Sequence, residues 1–140
     1  MKQRLNHWLL KTEPDTYSFT QLLREKQTAW NGVRNFQARN FLKQAQVGDL
    51  AIIYHSGKAP AAVGIARVSK SAYPDLDPKK PGDWVQIDLV AVAGFAQEVP
   101  LSTMKTEKSL KDLLLIKQSR LSCMPVSESE FQVICQLGGL

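Results

Sequence analysis

Between Asp49 and Phe95 the chain carries three β-rich runs with only loops between them. DLAIIYHS (49–56) and AAVGIARVSKSAY (61–73) are joined across GKAPA, and DWVQIDLVAVAGF (83–95) follows. In the last run Val85, Ile87 and Leu89 alternate with Gln86 and Asp88, the period-2 pattern of a half-buried strand. The insert YPDLDPKKPGD (73–83), rich in Pro and Asp, reads as a surface loop. Helical segments surround these runs without a regular βαβ rhythm, which argues against a doubly wound sheet. The expectation is an α+β fold built on a curved, mostly antiparallel sheet. At 140 residues it is one domain, 1–140, long enough to bury a core.

The flanks have their own punctuation. HWLLK (7–11) reads as a short strand that ends at TEPDT, where Pro14 cannot continue a ladder. In YSFTQLLREKQ (17–27) Ser18 can cap a helix, Gln21 can complete a capping box, and Tyr17 with Leu22 offers a hydrophobic staple. WNGVRNFQARNFLK (30–43) places Gly32 at a turn and Asn35 as the cap of a helix over 36–45. Phe41, Leu42 and Ala45 give that helix an inward stripe, and Arg39 and Lys43 a cationic one. From Val99 the pattern becomes helical or irregular, and IKQSRLSCMPV (116–126) suits neither a core strand nor a free loop. The final helix is plain: Ser127 and Glu130 form a capping box, Val126 and Phe131 a staple, and Gly138-Gly139 the stop.

The formal net charge is +5, and residues 1–56 hold eight Lys and Arg against four Asp and Glu. This bias favours an anionic partner, nucleic acid first, although a merely solvated basic face would look the same. The two cysteines, Cys123 and Cys135, make no disulfide framework, and the reduced, buried state is expected. No Cys or His stands at zinc spacing, so no metal is assigned. No apolar run reaches the roughly 18–20 residues of a membrane span. The apolar stretch Trp8-Leu9-Leu10 behind the basic lead is too short for a signal peptide. A cytoplasmic protein with no membrane partner is expected.

Hydrolytic catalysis has little to work with. His55 is the one plausible imidazole base, but Ser56 beside it on a strand points to the opposite face. No nucleophile elbow, phosphate loop or dinucleotide fingerprint is present, so no catalytic residue and no cofactor are assigned. Recognition of an unstacked nucleobase fits the residues better. Such a site needs flat side chains to sandwich the base, polar groups to read its edge, and cations for the flanking phosphates. Trp30, Tyr54 and Trp8 are flat; Asn35, Ser56 and Ser119 can read edges; Arg34, Arg39, Lys11 and Arg120 are cations. Core packing competes for each aromatic, most of all Trp8 and Phe41, and a surface salt bridge competes for Arg120.

WLLKTEPDTYSF, WNGVRNFQARNFL, VGDLAIIYHS, AVGIARV, AYPD and KQSRLSCMPVS, in this order and across nearly the whole chain, resemble the EVE-domain family. The resemblance implies a PUA-like fold, a curved sheet forming a pseudo-barrel among helices, related in architecture to YTH and ASCH domains. It also implies a pocket for a base, often a modified one, in RNA or DNA. By motif position the wall would include Trp30, Gly32, Val33, Arg34 and Asn35, then Tyr54, His55 and Ser56, then Ser119, Arg120, Leu121 and Ser122. Lys11 and Glu13 would lie at its edge. Where the family's motif carries W-D-G-V-R-N, this chain has Asn31, which donates as well as accepts.

The combined expectation is a non-catalytic reader of a flipped, modified base. Trp30 and Tyr54 would stack on it, with Asn35 and Ser56 at its edge and Arg34, Arg39, Lys43 and Arg120 along the backbone. Two rivals remain at this stage: an enzyme using His55 and Glu13 on a nucleotide, and a protein-interaction domain with a basic face.

Overall fold

The computed structural model describes residues 5–77 and 79–140; Lys2 and Arg4 of the basic lead lie outside the described residues. β1 (His7–Thr12) is followed by α1 (Phe19–Glu25), β2 (Gln27–Trp30) and α2 (Phe36–Leu42). Next come β3 (Leu50–His55), β4 (Ala61–Pro74) and β5 (Val85–Pro100). α3 (Leu101–Thr106), a 3-10 turn at Lys108–Leu110, α4 (Leu114–Lys117), β6 (Cys123–Val126) and α5 (Glu128–Leu137) complete the chain.

The six strands form one sheet in the order β2-β5-β4-β3-β1-β6. The expectation of a mostly antiparallel sheet holds with one exception. β1 lies parallel to β3, pairing Leu9 with Ile52, because the whole α1–β2–α2 excursion separates them and returns the chain in the same direction. The sheet curls without closing: among the described residues no ladder joins β2 to β6. Its curvature has a visible cause in the long β4–β5 pair, whose register shifts four times. Each such irregularity bends and twists the strand that carries it.

Local rules explain the element ends. Ser18 accepts a hydrogen bond from the Gln21 N–H at 3.1 Å, as a cap should. The Gln21 side chain turns to Glu25 instead of back to Ser18, so only half of the anticipated box forms. At Ser127 both halves form, 3.0 and 2.8 Å. α1 stops at Glu25 because Lys26 takes a left-handed φ of 73° and reverses the chain into β2. β2 pairs with β5, Trp30 opposite Ile87, and no strand was expected there. Four residues with alternating exposure are too few for periodicity to reveal. α2 is also shorter than expected: Gln44 and Ala45 bond to carbonyls three residues back, a tightened 3-10 end. KQSRLSCMPV resolves into a loop and edge strand β6, antiparallel to β1.

Leu9, Leu10, Leu22, Leu42, Ile52, Ile53, Ile87 and Leu89 are essentially inaccessible and belong to one core. Leu9 and Leu10, like Ile52 and Ile53, are strand neighbours that point to opposite faces, so the middle of the sheet is covered on both. Among the described residues one acidic side chain joins them. Asp49 accepts from the Asn6 N–H (3.1 Å), the Gln46 N–H (2.9 Å) and the Trp8 indole N–H (2.9 Å), fixing the α2–β3 turn to the start of β1. Gly64 in β4 seats α1: a Cβ there would lie 2.3 Å from the Phe19 ring, so only glycine lets the helix sit this close. Both cysteines are free and buried, and burial pushes their thiols up to about 12 for Cys123 and about 11 for Cys135.

Candidate functional site

A cavity of about 460 Å³ opens where the end of β1 and the following turn, strand β2 and the 31–35 turn converge. That is within the usual range for a small-molecule or base site. Trp30 forms part of its wall from β2, yet only 7% of the residue is exposed; Tyr17 meets its ring edge-on at 6.2 Å and 87°. Thr12, Thr16, Thr28 and Ser122 add hydroxyls to the lining, and Asn31 and Asn35 add amides.

The 31–35 turn is built for rigidity. Gly32 has a φ of 85°, open to glycine and strained for other residues. Its N–H donates to Asp75 Oδ2 at 2.8 Å, and Arg34 Nη1 donates to the same oxygen at 2.9 Å. Asp77 stands 3.9 Å from the other guanidinium nitrogen. The Arg34 guanidinium, helped by the Gly32 N–H, holds the Asp75 carboxyl below the usual carboxylate range despite its partial burial. At the end of the turn the Asn35 side-chain Oδ1 accepts from the Ala38 N–H at 2.9 Å, capping α2. That oxygen is engaged, so Asn35 offers its NH2 group, a donor, to an occupant.

Lys11 reaches the cavity from β1. Its Nζ donates to the Ser119 carbonyl at 2.7 Å and lies 5.9 Å from the centre of the Tyr54 ring. Burial lowers its ammonium below the ordinary lysine range. With one of three hydrogens engaged, it retains donors for a ligand.

The expected residues divide by location. Lys11, Trp30, Gly32, Val33, Arg34, Asn35 and Ser122 line the cavity. Ser119, Arg120 and Leu121 line a second hollow of about 240 Å³, which shares Asn35 with the first. Tyr54, His55 and Ser56, expected in the wall, and Glu13, expected at its edge, line neither of these two hollows. Tyr54 is 3% exposed on the central strand β3, with the Lys11 ammonium over its ring. His55 Nε2 accepts from the Phe19 N–H at 3.0 Å, and burial lowers its imidazole below the usual value, partly opposed by Glu98. Ser56 turns to Thr12, its N–H donating to that carbonyl at 2.9 Å, and the Glu13 carbonyl holds the turn through the Thr16 and Tyr17 N–H groups.

The expected cations are also more occupied than their sequence suggests. Arg34 is paired with Asp75, and Lys43 with Asp83. Arg39 lies 5.0 Å from the Phe36 ring centre and bonds to Asn40. Arg120 is exposed and forms no ion pair among the described residues. Thr28 and Ala29 in the lining, and Asp75 behind it, were missed by sequence reasoning, as were Thr12, Thr16 and Tyr17 around the turn after β1. The first two lie on the short strand that periodicity did not reveal, whereas Asp75 was visible in the AYPD motif.

A curled six-stranded mixed sheet with helices on its flanks and a cavity beside its β2 edge places the molecule among PUA-like proteins. The EVE domain profile matches residues 6–137, and the chain belongs to the EVE-domain family. It is 35% identical to chicken thymocyte nuclear protein 1 over 94% of its own length and 68% of the relative's. A hypothetical protein from Leishmania major superposes with a TM-score of 0.91 at 35% identity, covering 96% of this chain and 95% of the other. Human THYN1 protein, whose structure is a complex with 5-methylcytosine-containing DNA, superposes with a TM-score of 0.88 at 31% identity, covering 96% and 98%.

Proposed function

We propose that this chain is a non-catalytic reader of nucleic acid that receives one flipped, modified base in the cavity beside Trp30. The composition of that cavity carries the reading. Its lining combines an aromatic wall, donors on Lys11 and Asn35, and hydroxyls, with no carboxylate, imidazole or thiol among the described residues. A neutral base edge bearing carbonyl and ring-nitrogen acceptors suits such a wall. The two acid–base candidates of the sequence stand apart from it: His55 is held by the Phe19 N–H and Glu13 lies outside the lining. The complex of human THYN1 protein with 5-methylcytosine DNA gives the reading a precedent within the family.

In this mechanism the base leaves its stack, loses a few kcal/mol of stacking and pairing, and regains it against Trp30 and Tyr17. Lys11 and the Asn35 NH2 donate to its edge. Arg34 stays with Asp75 and shapes the mouth; the phosphates fall to Arg120 and Arg39. Asn31 lines the cavity and can present either a donor or an acceptor.

The test is a binding series with short oligonucleotides, each carrying one modified or unmodified base at fixed salt. The informative variant is Ser122→Phe, which fills the cavity from a half-buried position without hollowing the core as Trp30→Ala would. Selective binding of one modification, lost by at least ten-fold in Ser122→Phe, is expected. Binding that ignores both the base and the plugged cavity would refute the reading.

A further inference from the structure

Phe36, the first residue of α2, is 66% exposed. Its exposed ring is nevertheless braced. It stacks on Trp84 with centroids 5.2 Å apart and planes 22° from parallel, and Trp84 itself is only 9% exposed. The Arg39 guanidinium lies 5.0 Å from the Phe36 centroid and 5.8 Å from that of Trp84. Arg34 stands 5.5 Å from the Trp84 centroid while Asp75 holds it from the other side. An aromatic ring fixed against a second ring and flanked by guanidinium groups is a preorganised stacking surface.

Its position relative to the cavity is fixed by the chain. Asn35, the preceding residue, lines both the cavity and the hollow containing Arg120. Phe36 lines neither hollow, but adjacent Cα atoms are about 3.8 Å apart, so its backbone is next to the residue the two hollows share. The accompanying charges bear on the occupant: Arg39, beside the ring and also within electrostatic reach of Asp83, and Arg120, in the hollow that shares Asn35, form no ion pairs within 4 Å among the described residues. An apolar peptide would satisfy only the ring, whereas a nucleotide offers a flat base and a phosphate together.

We propose that Phe36 is the stacking surface for the base adjacent, on the same strand, to the one held in the cavity. This rests on the cavity being a base site and extends the footprint to at least two nucleotides. Stacking on Phe36 holds the strand at the mouth after the target base has left it, with Arg39 and Arg120 toward the intervening phosphates.

The experiment compares two probes, the free nucleoside 5-methyl-2′-deoxycytidine and a single-stranded hexanucleotide with one internal 5-methylcytosine. Wild type, Phe36→Ala, Phe36→Trp and Ser122→Phe are titrated with each by NMR. Phe36→Ala should weaken the hexanucleotide by about five-fold to 150-fold, the range that 1–3 kcal/mol per stacked base represents. It should leave the nucleoside unchanged, and Phe36→Trp should restore hexanucleotide binding. Equal hexanucleotide affinity in wild type and Phe36→Ala overturns the proposal, as does an equal loss for both probes, which would make Phe36 a brace for the cavity wall. The two readings fail differently: if Ser122→Phe changes nothing while Phe36→Ala still weakens the hexanucleotide, the cavity assignment has failed and not the stacking surface. Wild type that binds neither probe overturns both.

Discussion

Asp49 and Asp75 each join a turn to a segment more than 40 residues away, and they do so in opposite surroundings. Asp49 is 1% exposed and accepts from two backbone N–H groups and the Trp8 indole in the interior. Asp75, near the cavity mouth, accepts from the Gly32 N–H and the Arg34 guanidinium with side-chain exposures of 12% and 17% for the ion pair. A buried acceptor facing three donors cannot be removed without leaving them stranded, so Asp49 supports the fold. A rim carboxylate can be replaced in part by water, so Asp75 supports chiefly the shape of the mouth. Stability and recognition thus depend on different carboxylates, at different depths.

The sharpest way to break this comparison is Asp49→Ala. It should destabilise the chain by about 3 kcal/mol or more, read as a lower urea midpoint, because donors that met a carboxylate would meet none. Little loss would mean that water reaches the site. Asp75→Ala should lower stability by only about 1 kcal/mol while weakening binding of the modified oligonucleotide by about ten-fold, as the Gly32 turn and Arg34 lose their common anchor. A large stability loss with unchanged binding would reverse the roles assigned to the two aspartates.

A smaller effect sharpens the picture at His55. Its folded pKa is lowered, so below the unfolded value of about 6.5 the unfolded chain takes up a proton that the folded chain resists. The stability from the neutral ring is therefore present above about pH 6.5 and declines as pH falls toward the lowered value. In His55→Gln, which keeps an acceptor for Phe19 but does not titrate, chemical denaturation should show no such decline. The smallest effect is expected at Arg120→Ala, which should flatten the dependence of log affinity on log salt by about 0.7 to 0.9. An unchanged slope would place Arg120 off the phosphate track.

The gap between expectation and structure follows the same division. Ser18, Asn35 and Ser127 are caps in both, because a cap depends on a residue and its neighbour three positions on. Asp49 gave no sign of its role, because its partners come from Asn6, Trp8 and Gln46 once β1 lies alongside β3. Tyr54, His55 and Ser56 were gathered into the wall by motif position. Tyr54 and His55 lie on the central strand β3, where Tyr54 is packed against another layer, whereas His55 and the following Ser56 stay half-buried and bond to Phe19 and Thr12. Arg34 looked like a phosphate ligand until the loop carrying Asp75 folded back on it.

Local sequence determined the helix starts, the alternation of β5 and the turn chemistry at Gly32, since each depends on side chains within a few positions of one another. Motif order determined the family. Tertiary structure alone decided the parallel β1–β3 pair, the short strand β2, and which of the flat and charged residues meet in one cavity. Those features depend on contacts between distant segments, and the spacing of residues along a chain does not encode the distance between strands that have yet to pair.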